Sequence, residues 1–312
     1  MFRSILVPLD GSAFAEQALP WAQSIANKAG ATLQLVHVHK PMEPEVPEHQ
    51  FLSEDWWTTE LKTRQRDYLD GITSRLGAAG VKLAEPLIHQ GDVAESIHRI
   101  VVEKKIDLVV MTTHGRGPAV RMWLGSVADR LIRVLPIPLL LIRPGESTAG
   151  FDSERVIRHV LVPLDGTKLA EGIIQPALTF GECMDADYTL MRVINPVLTT
   201  HDPLPDVAAG TLLRGGFPQQ PPALGTERRR KALEYLDEVA ERLRERLERV
   251  RTEVVEDEHP AVAIVETAKR ISADLIAMQT HGRHGVARAL LGSVADKVLR
   301  SATIPLLVER PG

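Results

Sequence analysis

Short apolar runs and amphipathic stretches alternate along the whole chain. Ile5–Val7, Thr32–His39, Val81–His89, Asp107–Thr112 and Pro138–Ile142 are rich in Val, Ile and Leu and predict strands. The amphipathic segments between them predict helices from about Ala13 to Lys28, Asp55 to Leu76, Val93 to Glu103 and Ser126 to Val134. Gly30 and Gly80 stand where helices should end. Apolar strands alternating with helices predict a parallel sheet covered on both faces.

The pattern then repeats. Ile5-Leu6-Val7-Pro8-Leu9-Asp10-Gly11-Ser12 returns as Val160-Leu161-Val162-Pro163-Leu164-Asp165-Gly166-Thr167, an offset of 155 residues. Thr113-His114-Gly115-Arg116 and Leu124-Gly125-Ser126-Val127-Ala128-Asp129 return at an offset of 167, as Thr280-His281-Gly282-Arg283 and Leu291-Gly292-Ser293-Val294-Ala295-Asp296. The extra residues of the second copy fit the Pro/Gly-rich stretch 195–225, read as a loop. The chain is therefore expected to hold two tandem α/β domains, 1–144 and 156–312, with 145–155 as linker.

In the second copy Leu233, Leu236, Ala240, Leu243 and Leu247 mark one helix face, with Glu238–Arg242 and Glu245–Arg249 pairs beside it. That face fits packing on its own sheet better than a coiled-coil seam, being too short for several heptads. Arg228-Arg229-Arg230-Lys231 lies among Glu227, Glu234, Asp237 and Glu238 and reads as a solvated helix face.

Charge and composition narrow the function. A net charge of −4 gives no basic field for nucleic acid or an anionic membrane. No apolar stretch is long enough to span a bilayer, and Met1-Phe2-Arg3 leads directly into the first strand, so a cytoplasmic protein is expected. Cys183 is the only cysteine, lies near the end of an expected helix and is expected to have a plain packing role.

The candidate chemistry lies where strands end. Met111-Thr112-Thr113-His114-Gly115, nine residues, then Gly125-Ser126-Val127-Ala128 runs from a strand end to a helix start. Met278-Gln279-Thr280-His281-Gly282 followed by Gly292-Ser293-Val294-Ala295 does the same. A helix N-terminus offers unpaired N–H groups and partial positive charge, which suit an anion, and glycine lets backbone approach it. Ser126 and Ser293 can cap the helix, bind phosphate, or both. Asp10 and Asp165 end the first strands; each either forms an Asx-turn or faces a base or ribose, since a carboxylate would repel phosphate. His114 and His281 could act as bases or orient their loops, and no Walker loop, dinucleotide fingerprint or metal-ligand cluster is present.

The V-P-L-D-G-[ST] opening, the THGR segment, the Gly–nine residues–Gly-Ser loop and the closing Pro-rich apolar strand resemble the universal stress protein family in its tandem form, over nearly the whole chain. The resemblance implies two doubly wound domains, each a five-stranded parallel sheet of order 3-2-1-4-5 flanked by four helices, joined as an internal pseudo-dimer through the apolar edge strands 138–142 and 305–308. It implies ATP binding, with or without Mg2+, and a stress-response regulator. A slow ATPase or phosphotransferase and a ligand-free scaffold are the alternatives, and a homodimer or protein partner remains open. The implied site has Pro8, Leu9, Asp10, Val38, Met111 and Thr112 about the nucleoside and Gly115, Gly125, Ser126, Val127 and Ala128 about phosphate. Pro163, Leu164, Asp165, Val193, Met278, Gln279, Gly282, Gly292, Ser293, Val294 and Ala295 correspond to them. Arg116 and Arg283 follow the motif glycine, where they either pair with phosphate or lie solvated. The family's first motif glycine is replaced by Thr112 and Gln279, and Glu258 stands opposite Gly91. The first copy is accordingly expected to bind ATP more tightly.

Overall fold

The structure, a computed structural model, describes residues 1–39, 54–113, 124–144, 154–196, 222–280 and 291–311, with backbone alone for 54–59 and 222–224. Its strands are Ser4–Leu9 (β1), Thr32–His39 (β2), Leu87–Gln90 (β3), Leu108–Thr112 (β4), Leu139–Ile142 (β5), His159–Pro163 (β6), Asp187–Ile194 (β7), Val250–Glu256 (β8), Leu275–Gln279 (β9) and Leu306–Glu309 (β10). The helices are Ala13–Glu16 (α1), Leu19–Ala29 (α2), Glu54–Ala78 (α3), Val93–Glu103 (α4), Ser126–Val134 (α5), Lys168–Glu171 (α6), Ile174–Met184 (α7), Pro222–Arg244 (α8), Pro260–Arg270 (α9) and Ser293–Ser301 (α10).

Both halves have the expected strand order, and they fuse into one ten-stranded sheet, β3-β2-β1-β4-β5-β10-β9-β6-β7-β8. Neighbours within each half are parallel; only β5 and β10 run antiparallel, pairing Leu141 with Leu306 and Leu139 with Val308. The apolar edges are thus covered by each other. One buried layer joins α2, α3, α7 and α8 to the sheet, the other joins α4, α5, α9 and α10, and each layer runs through both halves. Leu236, Ala240 and Leu243 of α8 are buried on its own sheet.

Several expectations are corrected. The single helix from 13 to 28 is two, α1 and α2, because Pro20 has no N–H and its ring would collide with a continuing helix; it sits instead in the first turn of α2. The second half repeats the break between α6 and α7, so each half carries five described helices rather than four. The third strand shrinks from 81–89 to Leu87–Gln90, preceded only by a Leu33–Leu83 bridge, since Pro86 cannot donate to a ladder. The anticipated Glu238–Arg242 pair is also absent: Arg242 reaches Glu171 at 2.7 Å, and Arg249 pairs with Asp187.

Candidate functional site

The strands part where the order of the sheet reverses. β1 and β4 pair only at Ile5–Leu108 and Leu6–Val109, whereas β1 and β2 stay paired through Leu9–His37. β6 and β9 likewise pair only at Val160–Leu275 and Leu161–Ile276. Pro8 and Pro163 lie beyond the last of these pairs, so their missing N–H costs no bond to β4 or β9. The gap between the parted strand ends is the usual ligand position of a doubly wound sheet.

One rim of each gap is an Asx-turn. The Ser12 N–H and hydroxyl both donate to Asp10 Oδ1, at 2.9 and 2.6 Å, and Ser12 Oγ accepts from Ala15 N–H to cap α1. Thr167 and Asp165 repeat this at 2.9 and 2.6 Å. Gly11 and Gly166 make the turn at φ +79° and +90°. The turn reading of both aspartates is therefore realised, and it fixes where their negative charges stand.

The other rim is a helix start without a side-chain cap. Gly125 is the N-cap of α5 and Gly292 of α10, both extended, at φ −60° and −62°. Ser126 and Ser293 are the first helical residues and do not cap, because the glycine already holds that position. Gly125 N–H is itself occupied, donating to the Thr113 carbonyl at 2.9 Å, as Gly292 N–H does to Thr280 at 2.8 Å. Each bond closes the long loop at its base. The first intrahelical bonds are Asp129 N–H to Gly125 and Asp296 N–H to Gly292, which leaves the amides of Ser126, Val127 and Ala128, and of Ser293, Val294 and Ala295, without partners in their own helix. Side chains do cap α1, α4 and α6, through Ser12, Asp92 and Thr167. α2, α7 and α9 also start without a side-chain cap; what sets α5 and α10 apart is a glycine at the cap position beside each gap.

The remaining residues fall around these rims. Leu9, Leu164, Met111 and Met278 are buried supports, and Val38 and Val193 are half-buried at the ends of β2 and β7. Thr112 ends β4, buried. Gln279 ends β9, and its side chain turns inward: it is 6% exposed and donates from Nε2 to Glu309 Oε2 at 3.1 Å. Gly115, Gly282, His114, His281, Arg116 and Arg283 lie outside the described residues. The Gly91–Glu258 correspondence is a change of turn as well as charge. Gly91 has φ +136° and precedes an Asp92 cap, whereas Glu258 is exposed, and α9 begins at Pro260 with no side-chain cap.

Sequence reasoning missed a second constellation behind each first loop. Arg75 pairs with Glu16 at 3.0 Å beside Tyr68, and Arg242 pairs with Glu171 at 2.7 Å beside Tyr235. Burial, then the neighbouring carboxylate, pushes both phenols above the ordinary tyrosine range. Burial opposes ionisation of Glu171, but Arg242 and Lys168 hold its carboxyl below the usual range. In the second half Arg192 stacks on Tyr235 and reaches under the turn, where a Cβ on Gly166 would lie 2.8 Å from its guanidinium. A cavity of about 420 Å3 opens there, bounded by Gly166, Lys168, Glu171, Tyr235 and Arg242. Superposing the two copies by offset would have found these residues, since 16, 68 and 75 match 171, 235 and 242. A larger cavity, about 740 Å3, lies between the ends of α2 and α3, away from both gaps.

Among the described residues no three His, Cys, Asp or Glu side chains are grouped to hold a metal, and no helix is long and apolar enough to cross a membrane. A sequence profile of the universal stress protein family matches residues 1–143 and again 157–310. A universal stress protein of Thermus aquaticus is 34% identical over 143 residues, 46% of this chain and all of that protein. One from Mycolicibacterium smegmatis is 26% identical over 320 residues, covering 98% of this chain and 97% of its own length. The crystal structure of a universal stress protein from Archaeoglobus fulgidus superposes with a TM-score of 0.65 at 16% identity, covering 99% of this chain and 96% of that one.

Proposed function

Because the chain belongs to the universal stress protein family, matched by both of its halves, we propose that it is an ATP-binding regulator of the stress response with one nucleotide site in each half. The observation carrying this reading is the pair of glycine-capped helix starts facing the parted strands. Three N–H groups without helical partners, backed by the partial charge of the helix, suit a polyphosphate, and no Cβ on Gly125 or Gly292 stands in its way. Bound ATP would supply the negative charge these amides lack. Phosphate beside the Asp10 and Asp165 turns would be repelled, so the base and ribose are assigned to that side of each gap. The first half is the tighter site in this reading, because Glu258 adds a carboxylate where the first half has Gly91.

Freshly purified protein is heated and the released small molecules identified by mass spectrometry, alongside an equilibrium titration with ATP. An adenine nucleotide in the supernatant, or saturable ATP binding, is expected. Absence of both overturns the assignment. Phosphate release from ATP with Mg2+ is expected to stay at background; steady turnover would make the protein a slow ATPase.

A further inference from the structure

At the ends of β9 and β10 three positions have changed together. Thr112, Ile142 and Gln17 of the first half correspond to Gln279, Glu309 and Gly172 of the second. Thr112 faces Ile142 across β4 and β5, and Gln279 faces Glu309 across β9 and β10. Strand alternation puts the side chains of Gln279 and Glu309 on the layer that holds Ala277 and Leu307, under α6 and α7. A Cβ on Gly172 would lie 2.6 Å from Gln279 Nε2, so the amide occupies space that only glycine leaves open. The first half carries its long polar side chain just past α1, at Gln17, and a small one on the strand.

The arrangement has one unpaid acceptor. Gln279 Nε2 donates to Glu309 Oε2 at 3.1 Å, but Gln279 Oε1 is buried with no hydrogen-bond partner. A carboxylate can only accept, so an ionised Glu309 cannot satisfy it; a protonated one can.

We propose that Gln279 and Glu309 form a proton-linked pair, in which the acid hydroxyl of Glu309 donates to Gln279 Oε1 while Gln279 Nε2 donates back to the carboxyl, closing a ring with no buried acceptor left over. The pair lies at the root of the second loop: the next residue, Thr280, gives its N–H to the Glu309 carbonyl at 3.0 Å and takes that of Gly292 at 2.8 Å. It makes the second half responsive to pH and leaves the first half, with Thr112 and Ile142, without an equivalent. Nothing in it depends on a ligand.

The charged groups on surrounding elements are engaged elsewhere. Lys168 and Glu171 of α6 pair with each other and with Arg242. Asp165, at the end of β6, holds Thr167. Asp296 and Arg300 of α10 pair together, and Arg143 beyond β5 and Arg310 beyond β10 donate to helix-end carbonyls. Glu309 is governed by burial, which pushes its acid above the ordinary 4.5, opposed by the Gln279 amide. A raised acid in the folded state adds stability below the unfolded value, and that stability is lost as pH rises through the folded value.

Infrared spectra of the intact protein, with glutamate carboxyls labelled by carbon-13, test this across pH. A protonated-carboxyl band should persist above the pH at which other glutamates ionise, vanish in Glu309→Gln and move in Gln279→Thr. The melting temperature of Glu309→Gln relative to the unchanged protein should climb by roughly 2–5 °C per pH unit above the unfolded value until Glu309 ionises, then stay level. A constant offset throughout, or no persisting band, overturns the proposal. If Glu309→Gln does not fold, the band in the unchanged protein and its response to Gln279→Thr decide alone.

Discussion

Arg310 donates from Nη1 to the main-chain carbonyl of Arg133, 2.9 Å away and in the other half of the chain. Arg143 returns the contact, donating to the carbonyls of Arg300 and Ala302 at 3.3 and 3.0 Å. Each arginine leaves a central edge strand and closes the C-terminal end of the opposite half's helix, α5 or α10, where carbonyls lack helical partners and the dipole is negative. The same two helices begin at the candidate phosphate rims.

Replacing either arginine by alanine should cost about 1–2 kcal/mol, the range for a charged donor on a partly exposed carbonyl. The double variant should lose more and should unfold in two steps, as the halves come apart before melting. Urea unfolding followed by circular dichroism reads both; a single unshifted transition in the double variant would show that strand pairing alone holds the halves.

Gly125→Ala and Gly292→Ala should cost only about 0.5–1 kcal/mol of stability: both residues have extended backbone that alanine adopts, but alanine is a poorer N-cap than glycine. ATP affinity should fall, and fall further for Gly125→Ala. Isothermal titration of the two variants, with melting temperature as control, checks it. A larger loss from Gly292→Ala would reverse the ranking of the halves.

Gly181→Ala should be severe. A Cβ there would overlap the Tyr188 hydroxyl, which is fully buried and donates to the Ala177 carbonyl at 2.6 Å. Overpacking of this kind costs about 2–3 kcal/mol. The same change at Gly71 in α3 meets nothing within 4 Å and should instead stabilise by roughly 0.5–1 kcal/mol. Urea midpoints of the two variants should therefore move in opposite directions.

Cys183 reports on contact between the halves. Burial pushes its thiol up, Lys28 opposing, and its sulfur lies 3.8 Å from the Ile25 carbonyl of the other half, where α7 meets α2. Alkylation at neutral pH should be slow, and faster in the Arg143→Ala/Arg310→Ala double variant. Equal rates would mean that this helix contact stays closed without the arginines.

Much of this was legible beforehand. The alternation of apolar runs and amphipathic segments locates the strands and helices, the repeat gives the tandem organisation, and the family resemblance supplies the strand order. The misreadings were local and had local causes: Pro20 and Pro86 interrupt elements whose hydrophobic pattern continues through them. At the site, the sequence leaves Ser126 to cap the helix, bind phosphate or do both; capping falls away because Gly125 holds the N-cap, and sequence does not say which residue leaves the helical backbone first. Gln279 puts a long side chain where the family motif has a glycine. It folds away because Gly172, over a hundred residues distant, makes room, a compensation visible only once helix and strand are placed together.

The antiparallel seam of β5 and β10 has a further consequence. Where two identical chains meet across such a seam, every substitution appears on both sides of it. Here a change such as Gln279 or Glu258 occurs once per chain, in one half alone. Two unlike halves are thereby held at a fixed one-to-one ratio, with no sorting of subunits needed to produce the mixed pair.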